Sequence, residues 1–365
     1  SACQILLELH LERMPQDIQS PSRNISKPAR LWMRRWLILI GLLVYAMILV
    51  GGATRLTDSG LSITEWKPIS GALPPMSSTE WTKLFDLYKQ TAEFQLQNAS
   101  MNMAEFQYIY WWEWGHRLLG RLIGLVAVIG FVIFMMRGWL KDGWAFRFGF
   151  LIVLGGLQGA IGWWMVASGI GETSRVDVAP YRLMTHFCLA LLIIGFIAWY
   201  WMQLGQRSKI VSRVPLPALP VVLAVLIFLQ MASGALVAGL DAGRTYTDWP
   251  MMAGEFVPQG YWASELGIRN IFENHATAQF NHRIIAYLIT ILAVVVAFVG
   301  RERSNVYGTN FLLAAIGAQV LWGILTLMNA APLSLALVHQ GLGVIVLIAA
   351  IRTVFRARYS VSAAN

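Results

Sequence analysis

Charged residues are scarce in this chain. Asp, Glu, Lys and Arg make up 13% of its 365 residues, whereas 57% of the residues are hydrophobic. A water-soluble domain contains about 25% charged residues on average, because it must cover its surface with them. The composition therefore argues against a soluble domain and favours a protein with several membrane-spanning segments.

Cysteine is scarce, and no cleavable targeting segment is predicted. The two cysteines, Cys3 and Cys188, lie in the N-terminal segment and inside an apolar run, so no disulfide framework is predicted. Residues 1–30 have no apolar core before a small-residue cleavage site, and Glu8, Glu12 and Asp17 are unusual for a mitochondrial transit peptide. We expect a bacterial inner membrane, with the mitochondrial inner membrane as the alternative.

Long apolar runs, by contrast, are abundant. Eight segments approach the length of about 20 residues that a membrane-spanning helix needs. They lie near residues 35–54, 114–136, 146–167, 183–204, 217–239, 279–299, 309–328 and 333–353. Because open sheet edges would leave backbone groups unpaired in lipid, we predict an all-α membrane protein with eight transmembrane helices.

The basic residues predict the orientation of these spans. Lysines and arginines concentrate on one side, for example Arg30, Arg34 and Arg35 before the first span and Arg352 and Arg356 after the last. By the positive-inside rule both termini lie in the cytoplasm, or in the matrix of a mitochondrion. The net charge of +9 is thereby explained by topology, and no nucleic-acid partner is expected.

Two outer loops, near residues 55–112 and 240–278, are long. In the first, residues 81–96 have the pattern of an amphipathic helix that could lie along the membrane interface. His275 in the second loop and His10 near the N-terminus are expected to be surface residues.

The two halves of the chain repeat one another. The matching segments are Asp58-Ser59-Gly60 with Asp241-Ala242-Gly243, Thr64-Glu65-Trp66 with Thr247-Asp248-Trp249, Gly51 with Gly234, and His116-Arg117 with His282-Arg283, each His-Arg pair opening a span. The alternative is a chance likeness between two apolar sequences, but the common order of the motifs argues against it.

Each half contains four spans, so both copies have the same orientation and should be related by an axis along the membrane normal. We predict two pseudo-symmetric four-helix bundles, at residues 34–206 and 207–356. An N-terminal segment, 1–33, and a C-terminal tail, 357–365, would lie on the inner side.

Four histidines occupy matching places in the outer parts of these spans: His116 and His186 in the first half, His282 and His339 in the second. Ionisable residues at membrane depth are costly and usually mark a functional site. Two facing imidazoles inside a helix bundle suit the axial positions of a haem iron. Taken singly, each histidine could instead be a hydrogen-bonded residue at a helix end.

Other metals fit this pattern less well. Zinc requires three or four ligands close together, and the two pairs lie in different halves. Non-haem iron requires two histidines and a carboxylate. Glu113 could supply that carboxylate beside His116, but the second half has Gln279 at the equivalent place.

Glu113 distinguishes the two halves. It precedes His116 by three residues and so shares a helix face with it. One pocket can therefore carry out acid–base chemistry that the other cannot. The alternative is that Glu113 only stabilises the N-terminus of a helix.

Three arginines, Arg117, Arg121 and Arg283, lie close to these histidines in sequence. They are candidate contacts for haem propionates, because a guanidinium group matches a carboxylate. Extension of their side chains to phospholipid headgroups is the alternative.

Together these residues resemble the haem A synthase family over about residues 34–356. The resemblance rests on Gly51-Gly52-Ala53-Thr54-Arg55-Leu56-Thr57, Ser59-Gly60-Leu61-Ser62, Glu65-Trp66-Lys67-Pro68, Glu113-Trp114-Gly115-His116-Arg117 and Asn281-His282-Arg283. Some members carry a cysteine pair in the first outer loop; residues 55–112 have none, so this chain resembles the proteobacterial and mitochondrial branch.

The resemblance implies oxidation of the C8 methyl group of haem O to a formyl group, through hydroxylated intermediates, which gives haem A for cytochrome oxidase. By that resemblance His116 and His186 frame the pocket of the substrate haem, with Glu113 as its acid–base residue. His282 and His339 would then ligate a haem b cofactor that transfers electrons.

Expected partners are haem O, the lipid bilayer, a haem O synthase and an electron acceptor or donor, and the chain could form oligomers. Two other functions use the same features. A quinone-linked di-haem b electron-transfer protein would need the four histidines but not Glu113, and a transporter would account for the repeat alone.

Overall fold

The computed structural model describes residues 16–19, 22, 24–171, 173–206, 210–213, 218–299 and 308–360. Among them are eight helices long and apolar enough to cross a membrane. They are α1 (Lys27–Leu56), α2 (Met103–Met136), α3 (Trp144–Val166), α4 (Pro180–Gly205), α5 (Ala218–Gly239), α6 (His275–Val299), α7 (Thr309–Met328) and α8 (Leu333–Arg358). The predicted fold class, an all-α protein with eight candidate membrane spans, is confirmed.

Helix α2 begins well before the predicted span at residue 114. Its N-terminus is a capping box: Asn102 Oδ1 accepts hydrogen bonds from the backbone N–H groups of Ala104 and Glu105, and Glu105 Oε2 accepts one from Asn102 N–H. Glu113 therefore lies more than two turns inside α2. The alternative role for Glu113, stabilisation of a helix N-terminus, is wrong.

Helix α6 also begins earlier than predicted, at His275, which is exposed as expected of a surface residue. The prediction that the two His-Arg pairs open their spans is consequently wrong, since both pairs lie within helices that extend further outward. His10 lies outside the described residues.

Helix contacts form two rings. In the first, α1 and α3 each contact α2 and α4; in the second, α5 and α7 each contact α6 and α8. The rings meet through α4 with α5, α4 with α8, and α1 with α8. These neighbours agree with two four-helix bundles, while the pseudo-symmetry and the domain boundaries stay predictions.

Close approach between the rings depends on small residues, as is usual for helices in lipid. Gln340 of α8 lies over Gly52 of α1, where a Cβ atom would overlap its side-chain amide. The amide Nε2 donates to Ile48 O at 2.9 Å. A polar contact thus joins the two rings within the apolar interior.

The first outer loop packs against the outer end of α2. The predicted amphipathic stretch 81–96 forms two helices, Ser78–Tyr88 and Ala92–Leu96, instead of one. Phe85 and Tyr88 stack on Phe106 of α2 with ring centroids 4.9 and 5.4 Å apart. The loop therefore has an aromatic core of its own.

At the end of the bundles where α1 begins and α8 ends, three short strands pair in the order β1-β2-β3: β1 (Gln16–Gln19), β2 (Ile210–Arg213) and β3 (Tyr359–Ser360). Both pairings are antiparallel. This sheet was not predicted from the sequence, and it links the N-terminal segment, the loop between the halves and the C-terminal end.

Candidate functional site

Each of the four histidines is half-buried and lies against a glycine of a neighbouring helix. The pairs are Gly51 (α1) with His116 (α2), Gly162 (α3) with His186 (α4), Gly234 (α5) with His282 (α6), and Gly323 (α7) with His339 (α8). A Cβ atom at Gly162 would lie 2.9 Å from His186 Cε1, and one at Gly323 would lie 2.8 Å from His339 Cε1. At Gly162 and Gly323, which lie at corresponding places in the two halves, the imidazole thus uses space that only glycine leaves, whereas the contact at Gly51, 3.4 Å, is an ordinary one.

The structure also places the two histidines of each predicted pair in one bundle. His116 of α2 and His186 of α4 belong to the first ring of helices, and His282 of α6 and His339 of α8 to the second. Within the residues that the structure describes, no group of three or more His, Cys, Asp or Glu side chains is arranged to hold a metal ion. Ligation of iron by the four histidines stays a prediction.

Three glutamines that the sequence reasoning did not assign contact the imidazoles. Nε2 of Gln158 lies 3.2 Å from His186 Nε2, and Nε2 of Gln319 lies 3.4 Å from His339 Nε2. A signal for both was present, because Gln158 precedes Gly162 by four residues just as Gln319 precedes Gly323.

The third glutamine, Gln230 of α5, distinguishes the second half. Its Nε2 lies 3.2 Å from His282 Nε2 and donates to His282 O at 2.9 Å. Gln230 precedes Gly234 by four residues, and the residue with that spacing before Gly51 is Met47. The second pocket therefore has an amide where the first has a thioether.

Glu113 is buried, with 2% of its surface exposed, and both carboxylate oxygens are held. Oε2 accepts hydrogen bonds from Ser62 Oγ at 2.7 Å and from Ile63 N–H at 2.8 Å. Oε1 accepts one from Arg117 Nη2 at 2.6 Å. Sequence reasoning found Glu113 and Arg117 but missed Ser62. This residue lies in the first outer loop, and its hydroxyl group orients the Glu113 carboxylate through a hydrogen bond.

In the first half, Arg117 and Arg121 bind the outer loop through its backbone. Arg117 donates to Ile63 O at 2.8 Å and to Glu65 O at 3.1 Å. Arg121 donates to the carbonyls of residues 67 and 68 at 2.9 and 2.8 Å. Both arginines thus hold the first outer loop against α2, beside His116.

The second half repeats this arrangement with an amide in place of the carboxylate. Arg283 donates to Tyr246 O at 3.1 Å and to Asp248 O and Met251 O at 2.9 Å. Gln279 Nε2 donates to Tyr246 O at 2.9 Å. In the alignment of the halves Tyr246 and Asp248 correspond to Ile63 and Glu65, so Arg117 and Arg283 bind the backbone at matching loop positions.

Donors remain for the predicted propionate contacts. Nη1 of Arg121 and Nε of Arg283 are buried and have no hydrogen-bond partner in the described part of the chain. Propionate binding by Arg117, Arg121 and Arg283 stays a prediction. It is best supported for Arg121 and Arg283, because each has a nitrogen atom that is unpaired among the described residues and could donate to a carboxylate.

A charge cluster lies at the outer end of α1. Arg55 forms ion pairs with Asp58 at 2.8 Å, with Asp177 at 3.5 Å and with Asp241 at 2.6 Å. Burial raises the pKa of Asp177, and the positive charge of Arg55 opposes that rise. Asp58 and Asp241, aligned in the repeat, both have positive φ, at 48° and 52°.

A second buried carboxyl group, Glu93, lies in the first outer loop. Its exposed fraction is 2%, and its Oε2 has no hydrogen-bond partner among the described residues. Burial raises the pKa of Glu93 to about 8, while a hydrogen bond with Tyr88 lowers it. No pattern in the sequence indicates this burial.

The model of the COX15-CtaA family, described as a cytochrome oxidase assembly protein, matches residues 34–351. The heme A synthase of Hyphomonas neptunium is 59% identical over 333 residues, which are 91% of this chain and 95% of that protein. The heme A synthase of Dinoroseobacter shibae is 50% identical over 343 residues, 92% of this chain and 89% of that protein. The heme A synthase of Paracoccus denitrificans is 48% identical over 344 residues, 91% and 90% of the respective chains.

Proposed function

The chain belongs to the COX15-CtaA family of cytochrome oxidase assembly proteins, as the sequence motifs predicted, and from this premise we propose that it is a haem A synthase. It is then an oxidoreductase that acts on haem O and produces haem A. The chemistry is oxidation of the C8 methyl group to a formyl group, through hydroxylated intermediates, for the assembly of cytochrome oxidase.

The observation that carries this proposal is a difference between two otherwise similar sets of contacts. Glu113 lies one helical turn before His116 in α2, and it is buried and held by Ser62 and Arg117. In the second pocket Gln279 occupies the equivalent place and contacts the loop backbone instead. A carboxylate can accept and return a proton, whereas an amide cannot, so proton transfer belongs to the first pocket.

In the first pocket, His116 and His186 are the proposed ligands of the substrate haem. Two successive hydroxylations of the methyl carbon, each a two-electron oxidation that requires an external oxidant such as the expected electron acceptor, would give an alcohol and then a hydrated aldehyde, which loses water to leave the formyl group. Glu113 would move protons at those hydroxyl oxygens. Ser62 and Arg117 fix its orientation, because each donates a hydrogen bond to a different carboxylate oxygen.

In the second pocket, His282 and His339 would hold the iron of a resident haem b. The residues fit such a group: Nδ1 of each imidazole is buried without a partner in the described structure, and Gly234 and Gly323 leave room beside the rings. A haem b held in this way supplies one-electron transfer. Gln230 and Gln319 would orient the two imidazoles.

The chain is a multi-pass membrane protein with eight apolar helices. We place it in a bacterial inner membrane with both termini in the cytoplasm, because the basic residues lie mainly on that side. Both histidine pairs then lie toward the outer side. The farnesylated haem O would enter laterally from the bilayer, supplied by a haem O synthase.

The test is incubation of the purified protein with haem O, followed by acid–acetone extraction and mass measurement of the porphyrins. We expect wild type to form haem A, and Glu113→Gln to lose about 100-fold or more of the rate while its bound haem b is unchanged. Glu65→Gln is the matched control, because it removes a carboxylate of the first outer loop that pairs with exposed Lys67.

A di-haem b electron-transfer protein would give another result. Wild type would then bind two haems and exchange electrons with a quinone, but it would form no haem A. If Glu113→Gln formed haem A at the normal rate, the protein would still be a haem A synthase, but the proposed role of that carboxylate would be rejected.

A further inference from the structure

A groove of about 520 Å³ opens between α1 and α2 at the inner side of the first bundle. Its floor is apolar and includes Leu39 of α1 and Ile129 of α2, with 47% and 49% of their surfaces exposed. Arg35 of α1 and Arg137 at the end of α2 lie at its inner rim. The groove is far from the histidine pockets, which lie toward the outer ends of the helices.

The groove depends on one glycine. Trp36 of α1 lies against Gly130 of α2, where a Cβ atom would overlap the indole nitrogen. The indole Nε1–H donates to Val126 O at 3.0 Å, so the buried indole has its hydrogen bond satisfied. The result is a recessed aromatic floor at Trp36, whose indole donor is paired.

The rim is positively charged. The guanidinium of Arg35 lies 5.3 Å from the ring centre of Trp32, and that of Arg137 lies 5.3 Å from the ring centre of Trp139. Within the described residues neither arginine forms an ion pair, and no acidic side chain lines the groove. The exposed guanidinium groups of Arg35 and Arg137 thus lie at the edge of an exposed apolar groove.

We propose that this groove binds one anionic phospholipid of the inner leaflet. The phosphate group lies between Arg35 and Arg137, and one acyl chain follows the apolar floor along Leu39 and Ile129. Basic pockets between transmembrane helices on the cytoplasmic side bind anionic headgroups in this way, and tryptophans favour the interfacial depth. The site is independent of the chemistry assigned to the histidine pockets.

The charge arm of the test titrates the full-length protein with phosphatidylglycerol in detergent and counts retained lipids by native mass spectrometry. We expect phosphatidylglycerol to bind more tightly than phosphatidylcholine, and Arg35→Gln or Arg137→Gln each to weaken its binding about fivefold. Lys141→Gln is the control, since Lys141 is an exposed cation in the same inner loop that does not line the groove. An equal loss in that control would overturn the proposal, because overall charge would then explain binding.

The volume arm fills the groove without changing charge. Ile129→Trp should abolish phosphatidylglycerol retention, whereas Val132→Trp, on the exposed face of α2 outside the groove, should retain it. Excess glycerol phosphate should not displace the lipid, because it lacks an acyl chain. Retention in Ile129→Trp, or full displacement by glycerol phosphate, would reject the acyl-chain site.

Discussion

Arg55 of the first half donates a hydrogen bond to Asp241 of the second half, with Nη2 and Oδ2 2.6 Å apart. The same guanidinium pairs with Asp58 at 2.8 Å, and Asp58 is the counterpart of Asp241 in the repeat. One cation therefore binds both copies of a repeated aspartate and joins the outer ends of α1 and α5. The side chain of Arg55 is 10% exposed and that of Asp241 is 42% exposed, so water screens this contact in part.

The contact between the halves should contribute to stability. Arg55→Gln leaves three carboxylates near one another without their cation, and we expect it to destabilise the protein by about 2 kcal/mol. Asp241→Asn should cost less. A double-mutant cycle of these two changes, measured by thermal unfolding in detergent, should give a coupling energy of about 1 kcal/mol. Additive effects would show that the pair does not hold the halves together.

Replacement of single histidines should show that the two pockets have different functions. His282→Ala or His339→Ala should remove the low-spin haem signal from the purified protein, because each deletes a proposed axial ligand. His116→Ala and His186→Ala should abolish haem A formation and leave that signal in place. Optical spectra and pyridine haemochrome assays measure both. Loss of all haem in every variant would contradict two independent pockets.

The glycine contacts give a milder test of the same pockets. Gly323→Ala places a methyl group 2.8 Å from His339 Cε1 and should shift the low-spin haem spectrum, whereas Gly162→Ala should slow turnover and leave that spectrum unchanged. Gly317→Ala in α7 and Gly159→Ala in α3 are matched controls, since a Cβ atom there meets nothing within 4 Å. These controls should be neutral or stabilising by up to about 1 kcal/mol. Similar effects at Gly323 and Gly317 would argue against a role for the contact.

Glu93 predicts a pH dependence of stability. Burial raises its pKa in the folded protein from an ordinary value of 4.5 to about 8. The unfolded chain therefore loses this proton first as pH rises. The stability contribution is fully present below pH 4.5, falls between pH 4.5 and 8, and changes no further above that. The total change is on the order of a few kcal/mol.

The measurement compares melting temperatures at several pH values for wild type and Glu93→Gln. The wild-type melting temperature should fall relative to that of the variant between pH 5 and 8, because the variant stays neutral. Asp86→Asn, which removes an exposed carboxylate from the same loop, should follow the wild type. Parallel curves for wild type and Glu93→Gln would show that Glu93 is not protonated in the folded protein.

Hydropathy located all eight spans but not the ends of their helices. It reports where the chain meets lipid, whereas α2 continues outward from residue 114 to Met103 as an amphipathic helix covered by the first outer loop. The helix-start pattern of Asn102 followed three residues later by Glu105 was present in the sequence, but a search for apolar runs does not detect it. The break between the two loop helices was missed because periodicity alone does not show where Thr91 caps a new helix.

The part of the candidate site that was predictable consists of residues whose type alone indicates their chemistry. The four histidines, Glu113 and the contrast with Gln279 follow from the repeat. The hydrogen bond from Ser62 to Glu113 does not, because it joins an outer loop to a distant helix and depends on how that loop folds. Burial of Glu93 likewise depends on the aromatic packing around it, which local sequence does not encode.

The contacts between glycines and imidazoles have a consequence for how two such pockets can diverge. Each histidine ring lies between two helix backbones, so changes at the glycines or histidines would disturb both the ligand and the helix packing. The position of Glu113 and Gln279 differs in this respect, because the two side chains have nearly the same shape, differ in one terminal heavy atom and fit the same backbone setting. A single-base mutation interconverts their codons, so one substitution could have given an ancestral pair of identical pockets separate tasks while the scaffold stayed intact.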